Sequence, residues 1–420
     1  MFHLPGGVIR RLALGFAVLA GFGAQSVFAA EPIKIGGSLP LSGGLASNGK
    51  AALIAFQMWA EDINAKGGLV GRKVELVYYD DQTNPTAVPG IYTKLLDVDK
   101  VDLVISSYGT NLTAPAMPVV MPRGLVFMGL FALAINEEFQ YPYYFSMFPA
   151  GPDAVHEFSR GFFELAKQIQ PRPQTVAIIG ADTDFAKKAA DGADDNAKQM
   201  GFKVVFERSY PPAAVDFTPL VRSIQAAHPD FVYVAAYPPD AVGIVRAVKE
   251  VGLKALLIGG GMVGLQYGSL KTQLGEALNG IVNYDFYVPE PTLKFDGISN
   301  FLSRYQAKAT GAGVDPLGYF VPPFAYADLQ VLGDAVTAVG NLDQKQLGEY
   351  IRTHTFHTIV GDVGFAANGE WSAPRVLQVQ FQSISGNSLD QFKKPGTQVI
   401  VYPPSLVSGT LRSPYIPGGH

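Results

Sequence analysis

Small and hydroxylated residues follow a short apolar segment that begins at residue 101, and their types suit the binding of an anion. Residues 101–105 have the β-branched, apolar composition of a buried strand. A turn is predicted at 106–110, and Asn111 and Thr113 are favourable N-cap residues for a helix that starts there. A ligand carboxylate at such a helix N-terminus would gain about 0.3–1 kcal/mol from the free N–H groups. The alternative is an ordinary polar loop.

A glycine-rich segment at 259–264 matches the G-x-G-x-x-G pattern of dinucleotide-binding sites, and Asp285 follows about twenty residues later. Two features argue against a nucleotide. The segment lies in the middle of the chain, and Gly268 interrupts the helix that should follow it. A tight turn between a strand and a helix is the favoured interpretation, with its backbone approaching another part of the molecule closely.

The sequence lacks the patterns of a metal site or a catalytic nucleophile. The chain has no cysteine and six histidines, of which no pair has the i, i+4 spacing of a helical metal site. His354 and His357 lie three residues apart without a nearby acid, and Asp182-Thr183-Asp184 is interpreted as the start of a helix at Asp184. No serine lies in a G-x-S-x-G segment. We therefore expect no enzymatic activity, no metal and no cofactor.

Aromatic residues are concentrated where the chain is expected to pass between domains. Tyr141, Tyr143, Tyr144, Phe145 and Phe148 form one group, and a second group contains Tyr284, Phe286 and Tyr287. Phe185 and Tyr237 each come just after a predicted strand. Large aromatic side chains are most often core residues. Those at the ends of strands are also candidates for the lining of a ligand cleft.

Strands and helices alternate along most of the chain, which predicts parallel βαβ units and an α/β fold. The predicted strands are 33–39, 74–79, 101–105, 125–128, 143–147, 175–179, 203–206, 231–235, 255–258, 281–287 and 376–381. The predicted helices, besides the one after residue 111, are 50–65, 85–99, 156–168, 184–200, 216–227, 239–251, 293–310, 324–339 and 344–354. The pattern restarts near residue 156, so two α/β lobes joined by extended crossings fit better than one long sheet.

Length, charge and the N-terminus limit the class of protein further. A chain of 420 residues is long enough for two domains, and a net charge of −4 without a basic run argues against nucleic acid as a partner. Residues 1–29 have the pattern of a signal peptide, with Arg10 and Arg11 before an apolar segment and a cleavage site near Ala29. Loss of this leader lowers the net charge to −6. No cysteine follows it to carry a lipid anchor, so we expect an exported, soluble protein.

The order of several short motifs resembles the periplasmic binding proteins of branched-chain amino acid (Leu/Ile/Val-type) ABC transporters, over essentially all of the mature chain. The motifs are Ile35-Gly36 with Pro40-Leu41-Ser42-Gly43 and Gly49; Ala60-Glu61-Asp62-Ile63-Asn64 with Gly67-Gly68 and Gly71-Arg72; Tyr79-Asp80-Asp81; and the turn from Asp182 to Phe185. The resemblance implies two Rossmann-like lobes with parallel sheets, the type I periplasmic binding fold, joined by three crossings that close on one ligand. It also implies delivery to an inner-membrane permease and no enzymatic activity.

The family's ligand contacts can be assigned to this sequence one position at a time. The resemblance implies a ligand site formed by Asn48, Tyr108, Gly109, Thr110, Phe131, Ala132, Leu133, Phe185, Tyr237 and Gly261. Asn48 takes the position of an aromatic residue, and Thr110 the position that binds the ligand carboxylate. Two departures concern the ammonium group: Phe131-Ala132-Leu133 replaces a hydroxyl, and Gly261 replaces the pairing acid.

A buried ammonium without a paired charge costs several kcal/mol, on the order of the penalty for any isolated buried ion. We therefore expect a small aromatic or other apolar carboxylate that lacks an α-ammonium. The alternatives are a branched-chain or other amino acid, or a ligand-sensing subunit of a regulatory system with the same fold. The expected form is a periplasmic monomer. Its expected divisions are residues 30–147 with 284–361 as the first lobe, 148–283 with 362–402 as the second, and 403–420 as an irregular tail.

Overall fold

The computed structural model describes residues 31–212 and 214–416. The signal peptide predicted for residues 1–29 and the end of the predicted tail lie outside the described residues. The described strands are β1 Ile33–Leu39, β2 Val74–Asp80, β3 Leu103–Tyr108, β4 Phe127–Leu130, β5 Tyr144–Ser146, β6 Thr175–Ala181, β7 Lys203–Tyr210, β8 Phe231–Ala236, β9 Leu257–Met262, β10 Val282–Asp285, β11 Phe356–Thr358, β12 Gly361–Val363, β13 Leu377–Phe381 and β14 Gln398–Tyr402.

The helices fill the intervals between these strands, as the predicted α/β pattern requires. They are α1 Ala46–Ala65, α2 Val88–Asp97, α3 Thr110–Thr113, α4 Met117–Val120, α5 Asn136–Phe139, α6 Ala154–Gln168, α7 Asp184–Gln199, α8 Thr218–Ala226, α9 Pro238–Val251, α10 Gly268–Leu274, α11 Ile298–Ala312, α12 Val321–Val339 and α13 Gln344–Thr353. Within the described part of the chain, none of them has both the length and the apolar character to cross a membrane.

Two separate sheets confirm the predicted two-lobed α/β architecture. The first has five parallel strands in the order β2-β1-β3-β4-β5, and the second has seven strands in the order β14-β13-β10-β9-β8-β6-β7. The strands β13 and β14 run antiparallel at the edge of the second sheet, which the alternation of strands and helices did not predict. A small antiparallel hairpin of β11 and β12 was also not predicted.

The chain passes between the two sheets three times, through residues 147–153, 286–297 and 364–376. The helices α11, α12 and α13 lie in sequence between β10 and β13 of the second sheet, yet α11 and α12 pack against α1 beside the first sheet. The glycine at 333 makes this packing close, because a Cβ atom there would lie 2.5 Å from the Trp59 ring. Three connections between two lobes form the geometry of a hinge.

The turn predicted at 106–110 is partly wrong, because β3 continues through Tyr108. The helical segment starts at Thr110, with Gly109 as its N-cap at a φ of 84°, so neither Asn111 nor Thr113 is the cap. Pro115, Pro118 and Pro122 then divide the segment into short α and 3-10 pieces, since proline lacks the N–H group that a long helix needs.

The turn predicted for the glycines at 259–261 is also wrong, because all three lie inside β9. Gly259 and Gly260 have φ values of 145° and 116°, which disfavour any residue with a Cβ atom. A Cβ at Gly260 would lie 2.3 Å from the Tyr233 ring, and one at Gly261 would lie 2.9 Å from its hydroxyl. The glycines therefore make room for a neighbouring aromatic side chain on β8.

The segment after Tyr402 is irregular in backbone, yet it packs against the second sheet. Tyr415 is buried, and its N–H donates to the Ala255 oxygen at 3.0 Å. Side chains of the sheet hold the same segment, because Gln380 donates to the Arg412 oxygen and Gln382 to the Thr410 oxygen. This part of the tail thus covers the edge at which β13 and β14 pair.

A buried acidic residue lies where the third connection meets the first sheet. Glu370 is buried beside Ser146, close to Tyr144, and neither carboxyl oxygen forms a hydrogen bond within the described residues. Burial raises the pKa of Glu370 from its ordinary 4.5 to about 8. Between these two pH values, the folded protein therefore keeps a proton on Glu370 that the unfolded chain has released. The contribution of this group to the free energy of unfolding therefore falls as the pH rises.

The variant Glu370→Gln tests this assignment, because it removes the titrating group. We expect the free energy of unfolding of the original chain to fall between pH 5 and pH 8, by at most about 1.4 kcal/mol per pH unit from this one proton. The variant should show a flatter profile, measured by urea unfolding at several pH values. Exposed Glu250→Gln is the control and should keep the original slope. An unchanged slope in Glu370→Gln would contradict the assignment.

Candidate functional site

The carboxyl ends of the parallel strands of both sheets face each other across a cleft, which is where open α/β sheets bind ligands. Two cavities open along this cleft. One of 330 Å³ is lined by residues of both lobes, among them Leu45, Asn111, Tyr237 and Asp240. The other, of 580 Å³, lies between the segment that starts at Thr110 and the first turns of α7. Of the residues predicted to bind the ligand, Tyr237 lines the first cavity and Thr110 the second.

Asn111 joins the two lobes directly. Its side-chain oxygen accepts hydrogen bonds from the Phe185 N–H at 3.2 Å and from the Tyr237 hydroxyl at 3.0 Å. A second contact joins the same two lobes, because the Lys188 ammonium donates to the Ala134 oxygen at 3.0 Å. The lobes are therefore in contact at the ends of β3 and β8, which is a closed arrangement of the cleft.

The Tyr79-Asp80-Asp81 motif orders the first loop of the site. The carboxylate of Asp80 accepts from the N–H groups of Leu41 and Ser42 and from the Ser42 hydroxyl, at 2.7–3.2 Å. Asp81 accepts a 2.6 Å hydrogen bond from the Ser107 hydroxyl, which ties β2 to β3. These bonds hold the loop that leads into α1 and place the first turn of that helix, with Asn48, next to the end of β3.

Thr110 joins two of the loops expected to contact the ligand. Its hydroxyl oxygen accepts from the Leu133 N–H at 2.9 Å, so the hydroxyl proton can still be donated to another acceptor. Thr110, Ala132 and Leu133 are all buried. The Leu133 N–H is occupied by this bond, which leaves the Thr110 hydroxyl as the donor that the pair offers.

Phe131 lies at the centre of an aromatic cluster between the lobes. Its φ of 55° is unfavourable for a residue with a Cβ atom, and such strain persists only where the surroundings enforce it. The ring packs against the rings of Phe320, Phe286, Phe324, Phe148 and Tyr108, with centroid distances of 4.9–6.0 Å. These rings come from the first lobe, from two of the connections and from α12, so they meet only in the assembled fold.

Tyrosine hydroxyls form the polar part of this interlobe region. Tyr108 lies close enough to Tyr237, Tyr267 and Tyr284 for their phenols to affect one another, and burial raises the pKa of all four well above the ordinary range. The phenols therefore stay protonated and remain hydrogen-bond donors at any physiological pH. A region of this kind solvates a negative group through O–H donors instead of a countercharge.

Asn48 is fully buried and lies near the Tyr108 hydroxyl, as does Tyr267. Neither atom of the Asn48 amide group forms a hydrogen bond within the described residues, and the Tyr267 hydroxyl forms none either. The sequence placed Asn48 in a loop, but it lies in the first turn of α1 because this helix begins at Ala46. Its amide therefore has a fixed position, set by the helix.

Phe185 and Tyr237 form the contribution of the second lobe. Their rings lie 5.5 Å apart, and Phe185 also contacts Phe158 at 5.6 Å. A Cβ atom at Gly261 would lie 2.9 Å from the Tyr233 hydroxyl and 3.1 Å from the Phe158 ring, so this glycine leaves space for both side chains. The structure thus brings together the predicted residues of both lobes, with Gly261 contributing space beneath them.

Several residues of the cluster were missed at the level of sequence. Tyr267, Phe320 and Phe324 were assigned no role in binding, although each packs on or near a predicted site residue. A signal exists in the segment Gly-Tyr-Phe-Val-Pro-Pro-Phe at 318–324, where aromatic residues flank the start of a helix. Its position more than two hundred residues after Tyr108 gave no indication that the two meet.

Main-chain N–H groups donate hydrogen bonds to the two acidic residues near Tyr267 and Tyr284. Asp315 accepts from the N–H groups of Gly268 and Gly318 at 2.8 and 3.0 Å. Asp285 accepts from the Phe286 N–H at 2.8 Å and lies near the buried Lys271. Asp240 differs, since it lines the 330 Å³ cavity, and burial raises its pKa to about 6. No group of three or more potential metal ligands occurs in the part of the chain that the structure describes.

Tyr237→Phe tests the contact between the lobes, because it removes the hydroxyl that donates to Asn111. Loss of one such hydrogen bond should lower the closed-to-open ratio about two- to tenfold. Small-angle X-ray scattering should then give a larger radius of gyration. Tyr141→Phe is the matched control, since its hydroxyl donates to the Leu125 oxygen within the first lobe. Equal radii for all three proteins would contradict a role of Asn111 in closure.

Comparisons with known proteins agree with this architecture. The sequence model of the family described as "Periplasmic binding protein" matches residues 32–378. The Leu/Ile/Val-binding protein of Escherichia coli is 28% identical over 364 residues, which cover 85% of this chain and 93% of the relative.

Two solved structures share the fold at low sequence identity. The branched-chain amino acid transporter substrate-binding protein of Streptococcus pneumoniae, in complex with isoleucine, has a TM-score of 0.73 at 20% identity and covers 89% of this chain and 100% of its own. An ABC transporter solute-binding protein from R. palustris, in complex with benzoate, has a TM-score of 0.72 at 19% identity and covers 88% and 95%. The chain therefore belongs to the periplasmic binding protein family, with the type I fold of ABC transporter solute-binding proteins.

Proposed function

We propose that this protein captures a small apolar carboxylate, preferably an aromatic acid without an α-ammonium group, in the cleft between its lobes. The observation that carries the proposal is the combination of aromatic rings around Phe131 with buried hydroxyl donors, where the nearby carboxylates of Asp285 and Asp315 accept hydrogen bonds from main-chain N–H groups. The ligand residues proposed are Asn48, Tyr108, Gly109, Thr110, Phe131, Ala132, Leu133, Phe185 and Tyr237, with Gly261 as a space-making residue.

The carboxylate end of the ligand is bound by donors. The Thr110 hydroxyl retains its proton for donation, and the protonated phenols of Tyr108 and Tyr267 are further buried donors. Hydrogen bonds to an ionised acceptor are shorter and about twice as strong as those between neutral groups. Several such bonds offset the cost of removing a carboxylate from water without a lysine or arginine partner.

The apolar end of the ligand packs against the aromatic cluster. Phe131 is held in a strained backbone conformation by its neighbours, so its ring is a rigid surface. Phe185 and Tyr237 supply further ring surface from the second lobe. Aromatic pairs in offset or edge-to-face contact contribute about 0.5–1.5 kcal/mol beyond the burial of their area. An aromatic ligand profits from this more than an aliphatic one.

Among the described residues, an ammonium group beside Tyr267 and Tyr284 would meet only carboxylates that are already hydrogen-bonded. Asp285 and Asp315 are the carboxylates closest to Tyr267 and Tyr284, and main-chain N–H groups occupy both. A buried ammonium without a countercharge would be unstable by several kcal/mol, about the penalty of an unpaired buried ion. The lack of an available countercharge distinguishes the proposed ligand from an amino acid.

The known ligands of similar folds are compatible with either class. One structural neighbour is in complex with isoleucine and another with benzoate, so the architecture accommodates both an amino acid and an aromatic acid. Chemistry within the cleft, not the fold, therefore decides the ligand. For this chain, that chemistry supports the aromatic acid.

The proposed protein is exported to the periplasm, binds its ligand as a monomer and delivers it to the permease of an ABC importer. Its proposed lobes are residues 30–147 with 284–361 and 148–283 with 362–402, which rotate about the three connections. The bridge from Asn111 to Phe185 and Tyr237 supports closure around a ligand. The irregular segment 403–420 is proposed to remain with the second lobe.

A second candidate, an amino acid, is favoured by one observation. Asp240 lines the 330 Å³ cavity together with Asn111 and Tyr237, and its only side-chain partner among the described residues is the Tyr210 hydroxyl at 3.4 Å. An ionised Asp240 could pair with the ammonium of a ligand bound in this outer cavity. The pKa of Asp240, about 6, leaves the group mostly ionised at pH 7.

Isothermal titration of the ligand-stripped protein tests the proposal directly. Benzoate, cinnamate and their ring-substituted relatives should bind, and leucine should bind at least about tenfold more weakly, a difference of 1.4 kcal/mol. A heat signal for leucine with none for any aromatic acid would reject the proposal in favour of the second candidate.

Asp240→Asn separates the two candidates by a different route. Removal of the negative charge should leave the affinity for an aromatic acid unchanged or slightly stronger, because like charges no longer face each other. The same change should abolish binding of an amino acid that pairs its ammonium with Asp240. Asp184→Asn, an exposed residue of the opposite cavity, is the control. A strong loss of aromatic-acid binding in Asp240→Asn would count against the proposed binding mode.

A further inference from the structure

The amide of Asn48 is the one side chain of the proposed site that has both a donor and an acceptor without partners among the described residues. The side chain is fully buried, and both its nitrogen and its oxygen lack a hydrogen bond. A buried polar group of this kind is destabilising unless something bonds to it. Because α1 holds Asn48 in its first turn, the amide cannot turn away into solvent.

The surroundings of Asn48 define the group that would satisfy it. The Tyr108 hydroxyl lies beside it, and Tyr267, whose buried hydroxyl forms no hydrogen bond within the described residues, also lies near Tyr108. Hydroxyls both donate and accept, as does an amide. A carboxylate only accepts, so it would leave the Asn48 oxygen unpaired. The group that fits must therefore be a donor and an acceptor at once.

We propose that Asn48 recognises a hydroxyl group carried by the ligand, so that the preferred ligand is a hydroxylated aromatic acid. This inference rests on the proposed function, and it adds the chemical class of the substituent to it. The ligand hydroxyl donates to the Asn48 oxygen and accepts from the Asn48 nitrogen or from a neighbouring phenol. Where the resemblance places an aromatic residue in other members of the family, this chain has an amide, so the contact belongs to this chain's own specificity.

The effect on discrimination should be large. A site that hydrogen-bonds a ligand hydroxyl binds the analogue without this hydroxyl much more weakly, because the polar groups of the site are then left buried and unpaired. An unsubstituted ring would leave the amide of Asn48 and the hydroxyl of Tyr267 in that state. We expect hydroxylated acids to bind at least about tenfold more tightly than their unsubstituted parents.

The test compares matched ligand pairs on the ligand-stripped full chain by isothermal titration. Benzoate is compared with 3- and 4-hydroxybenzoate, and cinnamate with 4-hydroxycinnamate. The expected result is a preference for at least one hydroxylated member of each pair. Equal affinities within both pairs would overturn the inference while leaving the proposed function intact, since a water molecule would then satisfy Asn48. Failure of every aromatic acid to bind would overturn the proposed function, and the inference with it.

Asn48→Leu provides the second arm, because leucine has a similar volume and no polar atom. The variant should lose the preference for the hydroxylated acids, read as the ratio of the two affinities within each ligand pair on the same variant. Circular dichroism and the thermal unfolding midpoint show whether the variant is folded. Tyr141→Phe, which removes a hydroxyl distant from the cluster, should keep the original preference. A preference unchanged in Asn48→Leu would assign the recognition to another group and overturn the role of Asn48.

Discussion

The proposed site depends on hydroxyl and amide groups that are buried among aromatic rings. A polar group that has lost its water must find another partner, and an isolated charge in the same place is far more costly. The phenols around Tyr108 and the amide of Asn48 lie in such a region, with the rings of Phe131 and Phe320 beside them. The proposed site therefore offers several donors to an anion, whereas the carboxylate that could pair with a cation, Asp240, lies in the outer cavity.

The fold explains how residues so far apart in sequence share this region. The carboxyl ends of two sheets face each other, so loops from both lobes converge there. The Asp80 carboxylate fixes the loop before α1, and Thr110 fixes the loops after β3 and β4. Asn111 then connects this surface to the second lobe. The hydrogen bonds that order the loops of the first lobe also position its proposed ligand residues. Closure of the cleft adds the proposed ligand residues of the second lobe.

The sequence predicted the larger units well because strands and helices alternate with a clear period. It misplaced the end of β3 and the glycines of β9, since glycine and serine are typical of turns but here make room for Tyr233 and bond to Asp81. Asn48 was assigned to the loop before the helix predicted at 50–65, whereas α1 begins at Ala46. Tyr267 and Phe320 could not be predicted as neighbours of Phe131, because long-range packing leaves no local pattern. Motif order supplied the proposed ligand residues, and the packing of the fold supplied their aromatic neighbours.

The molecule that the protein carries when it is purified tests the central claim most directly. The protein is isolated from its own cells without added ligand and is then denatured. Mass spectrometry identifies the compound that it releases. The account predicts an aromatic acid with a ring hydroxyl and no amino nitrogen. A free amino acid as the main released compound would contradict the claim that this cleft binds an anion without accommodating a positive charge.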